Sequence, residues 1–305
     1  MDLIVVGSAN YDYLARGPEL PSPGESLLGD QLVESAGGKG ANQAIAAARL
    51  GASVTFVGCI GEDQRGDRVL ERLKAEGVDT KHVVRDPSSP TGVALIQTAE
   101  SGEKQILAVM GANGLLAVGH LPEQAIRSAH GLMVQLEIPL PVVEAAIRIA
   151  HQAGVKVILD PAPAEPLSDD LLQQVDILKP NAKEAEVLTG IRVHDRASAR
   201  EAAAQLLKRG VKSVMVQAGE EGNLLVWKDG ESWNPLLPVK TVDATGAGDA
   251  MAAALAVCII EGSSFEEAGR FANAAAALAT TALGAQAALP DREEIENLLN
   301  SFNAR

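Results

Sequence analysis

Asp243-Ala-Thr-Gly-Ala-Gly-Asp249 is followed directly by an apolar run from Ala250 to Ile260. The pattern predicts a glycine-containing loop that opens into a helix, with Asp249 in the first helical turn. Amide N–H groups at the start of a helix have no partner inside it and attract negative charge, and glycines let the backbone approach a phosphate closely. A carboxylate beside such an anion site can accept a proton, and this combination suits phosphoryl transfer to a hydroxyl. For this stretch alone, the alternative is an N-cap aspartate after a flexible turn.

A second glycine-rich stretch lies early in the chain, at Ala36-Gly-Gly-Lys-Gly-Ala-Asn-Gln-Ala44. It predicts a strand-to-helix turn around a ligand, with Lys39 and Asn42 on the first helical turn and directed at that ligand. The GxxxxGK[ST] pattern of a Walker A loop does not occur in the sequence. Because Lys and Asn are also common at helix starts, a purely structural turn remains the alternative.

Polar residues also stand where predicted strands end. Asn10 and Asp12 follow the first strand at its carboxyl end, where open α/β sheets bind their ligands. An amide and a carboxylate two residues apart suit the hydroxyls of a polyol, or else they form an Asx turn. Glu137 follows another predicted strand at its carboxyl end and is expected to face the ligand. Asn181 and Glu184 predict a capping box at a helix start, which is compatible with a ligand there.

Beyond Gly51, predicted strands and helices alternate along the chain. Such alternation implies an α/β fold, in which a mainly parallel sheet carries helices on both faces. The predicted strands are 2–7, 54–59, 132–136, 155–159, 213–217, 224–227 and 231–236. The predicted helices are one from about 45, 65–76, 141–153, 182–190, 196–209, 247–261, one to about 282 opened by a capping box at 263–266, and one from about 291. Strand-like stretches without intervening helices, at 27–34, 92–98 and 105–110, predict a separate small antiparallel sheet.

Composition and charge exclude several classes of protein. A formal net charge of −14 argues against nucleic acids or an anionic membrane as partners, because both need clustered Lys and Arg. The longest apolar run, residues 250–260, is far shorter than the roughly 20 residues of a membrane span. The first residues lack the basic region and cleavage site of a signal peptide, so a cytoplasmic protein is expected. No GxGxxG follows the first strand, which argues against a dinucleotide-dependent oxidoreductase.

Length and the metal-binding residue types narrow the expectation further. A chain of 305 residues can form one large α/β domain around a sizeable core. Cys59 and Cys258 lie in apolar surroundings without a CxxC partner, which predicts buried, reduced thiols. The histidines are scattered, so neither a histidine metal cluster nor a histidine-based triad is expected.

Taken together, Gly37-Gly-Lys-Gly-Ala-Asn42 and the 243–249 stretch resemble the two motifs of the ribokinase-like (PfkB) carbohydrate kinases. The similarity extends over essentially the whole chain, with further pieces in family order at 7–12, 91–95, 111–113, 135–137, 160–164, 179–181 and 284–286. The resemblance implies one α/β domain over residues 1–305, a three-layer α/β/α sandwich. It also implies a discontinuous β-lid, formed by about 11–36 and 91–110, that often makes a homodimer interface. The activity it implies is ATP-dependent phosphorylation of a sugar CH₂OH, with Mg²⁺ and a monovalent cation, K⁺.

The resemblance assigns roles to residues of both motifs and of the strand ends. Asp249 would be the general base, and Gly246, Ala247 and Gly248 would form the anion hole. The residues that would bind sugar hydroxyls are Asn10, Asp12, Gly38, Lys39, Asn42 and Glu137, together with Asp249. The residues on the ATP side would be Asn181, Glu184, Gln217, Gly219, Glu220, Gly222, Gly248 and Asn273, with Glu184 reaching Mg²⁺ through water. Those near K⁺, mainly through the backbone, would be Asp243, Thr245, Thr280, Leu283 and Gly284.

Three positions depart from the family pattern. Gln217 stands where a Thr is common, and Asn273 stands where close relatives often have His; both positions bear on the nucleotide. Ala288 lacks a hydroxyl that is usual near the cation, so weaker binding of K⁺ is expected. The substrate predicted from the resemblance is ribose, giving ribose 5-phosphate, and the alternatives are fructose, deoxyribose, 2-keto-3-deoxygluconate or adenosine. A catalytically silent sugar-binding regulator is a further alternative, against which the intact Asp249 and its neighbouring glycines count.

Overall fold

The computed structural model describes residues 1–303, apart from the side chains of Glu220 and Asn303. Its strands are β1 (Asp2–Val6), β2 (Asn10–Gly17), β3 (Gln31–Gly37), β4 (Ser53–Gly61), β5 (Asp79–Asp86), β6 (Gly92–Ala99), β7 (Lys104–Val109), β8 (Gly131–Gln135), β9 (Lys156–Asp160), β10 (Ile177–Leu178), β11 (Ser213–Gln217), β12 (Asn223–Trp227) and β13 (Gly230–Asn234). Its helices are α1 (Lys39–Arg49), α2 (Gln64–Ala75), α3 (Glu123–Ser128), α4 (Leu140–Gln152), α5 (Asp169–Leu172), α6 (Ala182–Thr189), α7 (Arg196–Lys208), α8 (Ala247–Glu261), α9 (Phe265–Leu278) and α10 (Arg292–Asn303).

Within residues 1–303, nine strands form one large sheet in the order β13-β12-β11-β10-β9-β8-β1-β4-β5. Neighbouring strands from β11 to β5 are parallel, and the β11-β12 and β12-β13 pairs at one edge are antiparallel. Parallel strands need long crossovers, and the intervening helices provide them. The carboxyl ends of β1, β8, β9, β10 and β11 therefore meet along one edge of the sheet, as open α/β folds require for a ligand site.

Apolar residues fill both faces of the large sheet. Leu3 and Val5 of β1 pack into a cluster with α1, α8 and α9, while Ile4 and Val6 pack into a second cluster with α4 and α7. The strands are thus buried on both sides, which is why they read as continuous apolar runs rather than as alternating ones. These layers confirm the predicted fold class, a three-layer α/β/α sandwich. Among residues 1–303, no helix combines the length and the apolar character needed to cross a membrane.

The remaining strands form the small sheet, in the order β3-β2-β6-β7. Its outer pairs are antiparallel, but β2 and β6 are parallel, so the prediction of an antiparallel small sheet is wrong. The reason lies in the chain path. β2 follows β1 and β6 follows β5, and β1 and β5 run in the same direction, so both strands leave the same edge of the large sheet.

Strand β2 was not among the predicted strands, and β3 begins at Gln31 rather than at residue 27. In β2, Asn10 and Asp12 alternate with Tyr11 and Tyr13, so a polar set and an aromatic set lie on opposite faces. At the start of the strand both sets are buried: Asn10 and Asp12 line a polar cavity, and Tyr11 packs into the core on the opposite face. Sequence periodicity therefore favoured a turn at a place where the chain forms a strand.

The ends of α9 also differ from the prediction. The capping box is formed by Ser264 and Glu267, one residue later than predicted, because Ser263 N–H is bonded to the Cys258 carbonyl at the end of α8. The helix ends at Leu278 rather than near residue 282. Beyond it, the hydroxyls of Thr280 and Thr281 bond back to carbonyls of the last turn and compete with helix continuation.

Candidate active site

Asp249 lies where the loop that precedes α8 meets the helix. Gly246 caps α8 with a φ of 83°, a conformation that residues with a Cβ rarely adopt. The Asp249 side chain is buried; its Oδ2 accepts a hydrogen bond from Asn42 Nδ2 at 2.9 Å, and its Oδ1 accepts one from Gln43 Nε2 at 3.1 Å. Burial raises the pKa of Asp249, and the charge of Lys39 opposes that shift. The two glycine-rich stretches thus meet at one carboxylate.

A chain of amide side chains orients this carboxylate. Gln43 Nε2 donates a second bond to Asp160 Oδ2 at 2.8 Å, and Gln43 Oε1 accepts one from Gln135 Nε2 at 2.6 Å. Gln286 Nε2 donates to Asn42 Oδ1 at 3.0 Å, which turns the Asn42 NH₂ group toward the carboxylate. A buried polar network with fixed partners holds its groups in one arrangement.

Lys179 carries a buried positive charge beside the same loop. Its Nζ lies 3.3 Å from Asp160 Oδ1, and it donates to the Gly248 carbonyl at 3.2 Å and to Gln217 Oε1 at 3.3 Å. A Cβ at position 248 would come within 3.0 Å of that Nζ. A glycine at position 248 therefore lets the buried ammonium approach the start of α8.

Asn10 and Asp12 extend from β2 toward the same region. Asn10 Oδ1 accepts a hydrogen bond from Asn113 Nδ2 at 2.8 Å, which fixes the orientation of the Asn10 amide. Asp12 Oδ1 is buried without a hydrogen-bond partner in residues 1–303. Burial, followed by the charges of Glu137 and Asp249, raises the pKa of Asp12 from 3.8 to about 7. An unpartnered buried oxygen of this kind lacks a hydrogen-bond donor, and a ligand hydroxyl is one group that can supply it.

Gly38, Lys39 and Glu137 complete this side of the site. Gly38 has a φ of 89°, and a Cβ there would lie 2.7 Å from the Asn10 amide nitrogen. Glu137 Oε2 accepts hydrogen bonds from Ser8 Oγ at 2.5 Å and from Lys39 N at 3.4 Å. Burial alone would lower the pKa of the Lys39 ammonium, but the surrounding carboxylates, above all Asp249, raise it beyond its ordinary value. Lys39 therefore stays charged inside the site.

Two adjoining cavities open beside the loop. The first has a volume of about 440 Å³ and contains the polar groups described above, including Asn10, Asp12, Lys39, Asn42, Glu137, Lys179 and Asp249. The second has a volume of about 460 Å³ and a largely apolar wall, with Leu236, Leu237, Val239, Met251, Ala276 and Ala277 among its residues. Asn181, Gln217 and Ala247 line both. The arrangement provides a polar compartment and an apolar compartment that meet at the start of α8.

Of the predicted ATP-side residues, Asn181, Gln217, Gly219 and Asn273 line the second cavity, whereas Glu184 and Gly248 line the first. Several of them are engaged in hydrogen bonds within the protein. Asn181 and Glu184 form the predicted capping box, in which Glu184 Oε2 accepts from Asn181 N at 2.7 Å. Burial, together with the charge of Asp160, raises the pKa of Glu184. Asn273 Oδ1 accepts from Asn223 Nδ2 at 2.7 Å, and Asn273 Nδ2 donates to the carbonyl of residue 235 at 2.9 Å. Asn273 therefore braces the cavity wall.

Glycines shape the turn at the mouth of this cavity. Gly219 lines the cavity, and its φ of 68° is left-handed. Gly222 has a φ of 139°, and a Cβ there would lie 2.5 Å from the Asn234 carbonyl oxygen. The side chain of the intervening Glu220, also predicted to contact ATP, lies outside the described part of the chain. The turn can thus bring its backbone close to a ligand.

The predicted cation loop is organised around Asp243. Asp243 Oδ1 accepts hydrogen bonds from Thr245 N at 3.0 Å and Thr245 Oγ1 at 2.7 Å, and Oδ2 accepts one from Gly284 N at 3.0 Å. Burial works to raise the pKa of Asp243, but these hydrogen bonds hold it below its ordinary value. The Thr280 carbonyl accepts the N–H groups of residues 242 and 243, and the Leu283 side chain packs against the small sheet. Within residues 1–303, no cluster of three or more His, Cys, Asp or Glu side chains is placed to hold a metal.

A family model described as pfkB family carbohydrate kinase matches residues 1–292. The chain belongs to the pfkB family of carbohydrate kinases. This match confirms the family that was predicted from the two glycine-rich motifs. The match covers both motifs and all strands of both sheets, so the family assignment applies to the fold and to the site together.

The relatives of this pfkB-family chain include a ribokinase and a deoxyribokinase. It is 42% identical to the ribokinase of Haemophilus influenzae over 299 residues, covering 96% of each chain. It is 34% identical to the deoxyribokinase of Salmonella typhi, covering 98% of this chain and 99% of that one. Its fold matches the structure of Arabidopsis thaliana ribokinase complexed with ribose and ATP with a TM-score of 0.88 at 36% identity, covering 97% and 98% of the two chains.

Several residues of the site were not predicted as functional from the sequence. Gln43, Lys179 and Asp160 carry charges or hydrogen bonds at the centre of the site, and Lys104 contacts the Asp243 loop. Lys179 and Asp160 do lie in stretches that resemble the family, and Gln43 directly follows Asn42. Their roles depend on contacts between residues that are far apart in the sequence, and a single sequence does not contain such pairs.

Proposed function

We propose that this protein is an ATP-dependent ribose kinase that forms ribose 5-phosphate. The observation that carries the proposal is the position of the Asp249 carboxylate, which faces the polar cavity at the start of α8, next to the apolar one. A sugar in the polar cavity and a nucleotide in the apolar one would meet at this carboxylate. The similarity to ribokinases over nearly the whole chain supports this choice of substrates.

Asp249 would act as the general base. The sugar CH₂OH would transfer its proton to Asp249 while its oxygen forms a bond to the γ-phosphorus of ATP, and the bond to the ADP oxygen would break. Burial raises the pKa of Asp249, which brings its basicity closer to neutral pH. Asn42 donates to one oxygen of the carboxylate and Gln43 to the other, which fixes its orientation.

Backbone amides at the start of α8 would hold the transferred group, with Gly246, Ala247 and Gly248 as the anion hole. The Ala247 N–H also points at the Ala244 carbonyl, at 3.3 Å, so the unpaired amides that follow it in the first helical turn are better placed to donate. Lys179 lies against the Gly248 carbonyl and adds positive charge where negative charge develops.

Ribose would be held by Asn10, Asp12, Gly38, Lys39, Asn42 and Glu137. Asp12 Oδ1, buried and without a partner in residues 1–303, fits this role because a sugar hydroxyl would supply the missing hydrogen bond. The similarity to a deoxyribokinase makes deoxyribose the second candidate. A site whose buried groups pair with the 2-hydroxyl would discriminate against deoxyribose strongly.

ATP would occupy the apolar cavity, with Asn181, Gln217, Gly219, Gly222 and Asn273 around it. Its volume of about 460 Å³ and its apolar wall fit a purine, and Gly219 and Gly222 permit close backbone approach. Glu184 would hold Mg²⁺ through water, which suits a metal that keeps several waters and binds mainly to phosphates. The metal would neutralise charge on the phosphates.

We propose a weak K⁺ site at the Asp243 loop, with Thr245, Thr280, Leu283 and Gly284. The oxygen donors fit a hard monovalent cation, and Asp243 supplies the charge. However, Gly284 directs its N–H at Asp243, and Lys104 Nζ lies 3.7 Å from Asp243 Oδ1. An ammonium group that already offsets the carboxylate weakens the attraction for a second cation.

The small sheet would act as the lid of the single domain and as the surface of a homodimer. Its inner face lines the polar cavity with Ala94, Ile96, Ile106 and Ala108, so it can exclude water from the reacting groups. Its outer face exposes Leu32, Leu95 and Leu107. A cytoplasmic location follows from the proposed use of ATP and agrees with the expectation from the sequence.

The test is a kinase assay of the purified protein with ATP and a panel of ribose, 2-deoxyribose, fructose and adenosine. We expect the highest kcat/KM with ribose and a phosphorus NMR signal for the 5-phosphate. Asp249→Asn should lower kcat by about 10²–10⁴-fold, because it removes the base but preserves the size of the side chain. Ribose affinity, measured calorimetrically, should change far less.

The variant needs a stability control because an Asn at position 249 turns an NH₂ group toward one of the amide donors. Its unfolding midpoint should therefore be compared with that of the wild type. Faster turnover of another sugar than of ribose would contradict the substrate. Near-normal turnover by a folded Asp249→Asn variant would contradict the assignment of the base.

A further inference from the structure

Lys104 connects the small sheet to the loop that starts α8. It is the first residue of β7, the outer strand of the small sheet, and its side chain is 29% exposed. Its Nζ donates a hydrogen bond to Thr245 Oγ1 at 3.1 Å. In residues 1–303 the structure contains no other hydrogen bond between the strands of the small sheet and residues 243–249. A single side chain therefore spans the polar cavity from sheet to loop.

The loop end of this contact is a buried hydrogen-bond cluster. Thr245 uses both its N–H and its hydroxyl to bind Asp243 Oδ1, and the same Oδ1 lies 3.7 Å from Lys104 Nζ. The Asp243 side chain is only 3% exposed, so its negative charge is poorly screened by water. That charge precedes the amides that would receive a phosphoryl group. An ammonium beside it offsets the unfavourable field.

The sheet end of the contact lies beside the proposed sugar site. Lys104, Ile106 and Ala108 alternate along β7, and all three line the cavity that also contains Asn10 and Asp12 of β2. The strands β2, β6 and β7 are hydrogen-bonded neighbours. A sugar held by β2 therefore contacts the same sheet that positions the ammonium of Lys104.

We propose that Lys104 is a positioning residue that acts through Thr245 and Asp243 and aligns the first amides of α8 when the small sheet covers the sugar. The inference rests on the proposed kinase function for the identity of the reaction. Lys104 does not touch the reacting atoms in this role. It makes the geometry of the anion hole depend on the position of the small sheet, so that phosphoryl transfer is favoured only over a covered sugar.

The test compares Lys104→Met and Lys104→Arg with the wild type. Methionine has a side chain of similar length but lacks the positive charge and the hydrogen-bond donor. Arginine keeps the charge and the donor. Lys104→Met should lower kcat by about 10- to 100-fold, the range expected for a misplaced catalytic group, with a much smaller change in KM for ribose. Lys104→Arg should recover most of the lost kcat. Lys81→Met is the matched control, because Lys81 is an exposed lysine paired with Asp79 on β5.

Hydrogen exchange of the ligand-free proteins gives a readout that does not depend on activity. Lys104→Met should speed exchange of the amides at 243–249, and Lys81→Met should not. Unchanged exchange in that loop, or a wild-type kcat in Lys104→Met, would overturn the inference. Weaker ATP binding with an unaltered loop would also overturn it, because it would mean that Lys104 binds phosphate directly. A wild-type protein that phosphorylates no sugar would refute the proposed function, while the exchange result would still decide the role of Lys104.

Discussion

The Asp249 carboxylate is held in place by hydrogen bonds from neutral side chains. Both of its oxygens accept hydrogen bonds from amide side chains, Asn42 and Gln43, and Gln286 and Gln135 fix the orientation of those amides. Neutral donors stabilise the carboxylate less than a paired ammonium would. The pKa of Asp249 therefore stays raised by burial, and the group keeps the basicity that proton transfer needs.

Asp12 is a residue whose behaviour should depend on pH. Its pKa is raised from 3.8 to about 7 by burial and by the charges of Glu137 and Asp249. A folded-state pKa above the unfolded value means that folding favours the protonated form. Protonated Asp12 therefore stabilises the fold below about pH 4. This contribution to the free energy of unfolding falls as the pH rises from about 4 to about 7 and is lost above pH 7.

Sugar binding should show the opposite dependence on pH. Sugar hydroxyls that donate to Asp12 favour the carboxylate, so below pH 7 binding must release a proton. We expect the dissociation constant for ribose to rise as pH falls from 8 to 6, by up to about tenfold per unit below pH 7. Calorimetric titration without ATP measures this. Asp12→Asn is the control and should bind more weakly with a flatter profile; an unchanged slope would assign the titration to another group.

The two ends of α8 allow a test of what Gly246 does. Gly246 and Gly262 cap the helix with φ values of 83° and 90°. A Cβ at Gly246 would also lie 3.0 Å from the Ala285 backbone, whereas nothing stands within 4 Å of one at Gly262. Alanine at either position should cost about 1–2 kcal/mol in the free energy of unfolding, and Gly246→Ala should cost more.

Only Gly246→Ala should also lower kcat, because it moves the amides that would bind the phosphoryl group. Urea unfolding measures the loss of stability, and turnover assayed without urea measures the effect on catalysis, so the two effects are separated. Gly262→Ala should lose stability alone and so serves as the matched control. A Gly246→Ala variant with wild-type kcat would remove the loop backbone from the mechanism.

Most of the long, buried elements were predictable from sequence. The half-exposed edge strand β5, the short β10 and the polar start of β2 were not. Helix α8 and the central strands of the large sheet follow from their continuous apolar runs, because these elements are buried on all sides. β2 was missed because Asn10 and Asp12 turn polar groups inward, and β10 has only two residues. At the site, the structure brings residues of both predicted motifs to one cavity, whereas the contacts of Gln43 and Lys179 form only when distant segments come together.

At the scale of the whole molecule, the outer face of the small sheet exposes apolar side chains that a second protein surface would bury. Leu95 and Leu107 are directly paired across β6 and β7, and they are 46% and 64% exposed. Leu32 lies on the same face of the sheet. It pairs with Ala15 of β2, and Ala15 shares a face with Tyr13, the partner of Leu95. Exposed leucines that share one face of a sheet favour packing against a second copy through a two-fold axis.

Leu107→Glu should therefore dissociate the proposed homodimer. A two-fold interface contains the substitution twice, and burial of one leucine contributes about 1.5–3 kcal/mol, so the dissociation constant should rise on the order of 10²–10⁴-fold. Sedimentation velocity over a range of concentrations measures this change. Val187→Glu is the matched control, since Val187 on α6 is 49% exposed but lies away from the small sheet. Because β2 presents Asn10 and Asp12 from the same sheet, the monomeric variant should also bind ribose more weakly. A wild-type protein that is monomeric at micromolar concentration and fully active would show that the small sheet needs no partner to cover the sugar.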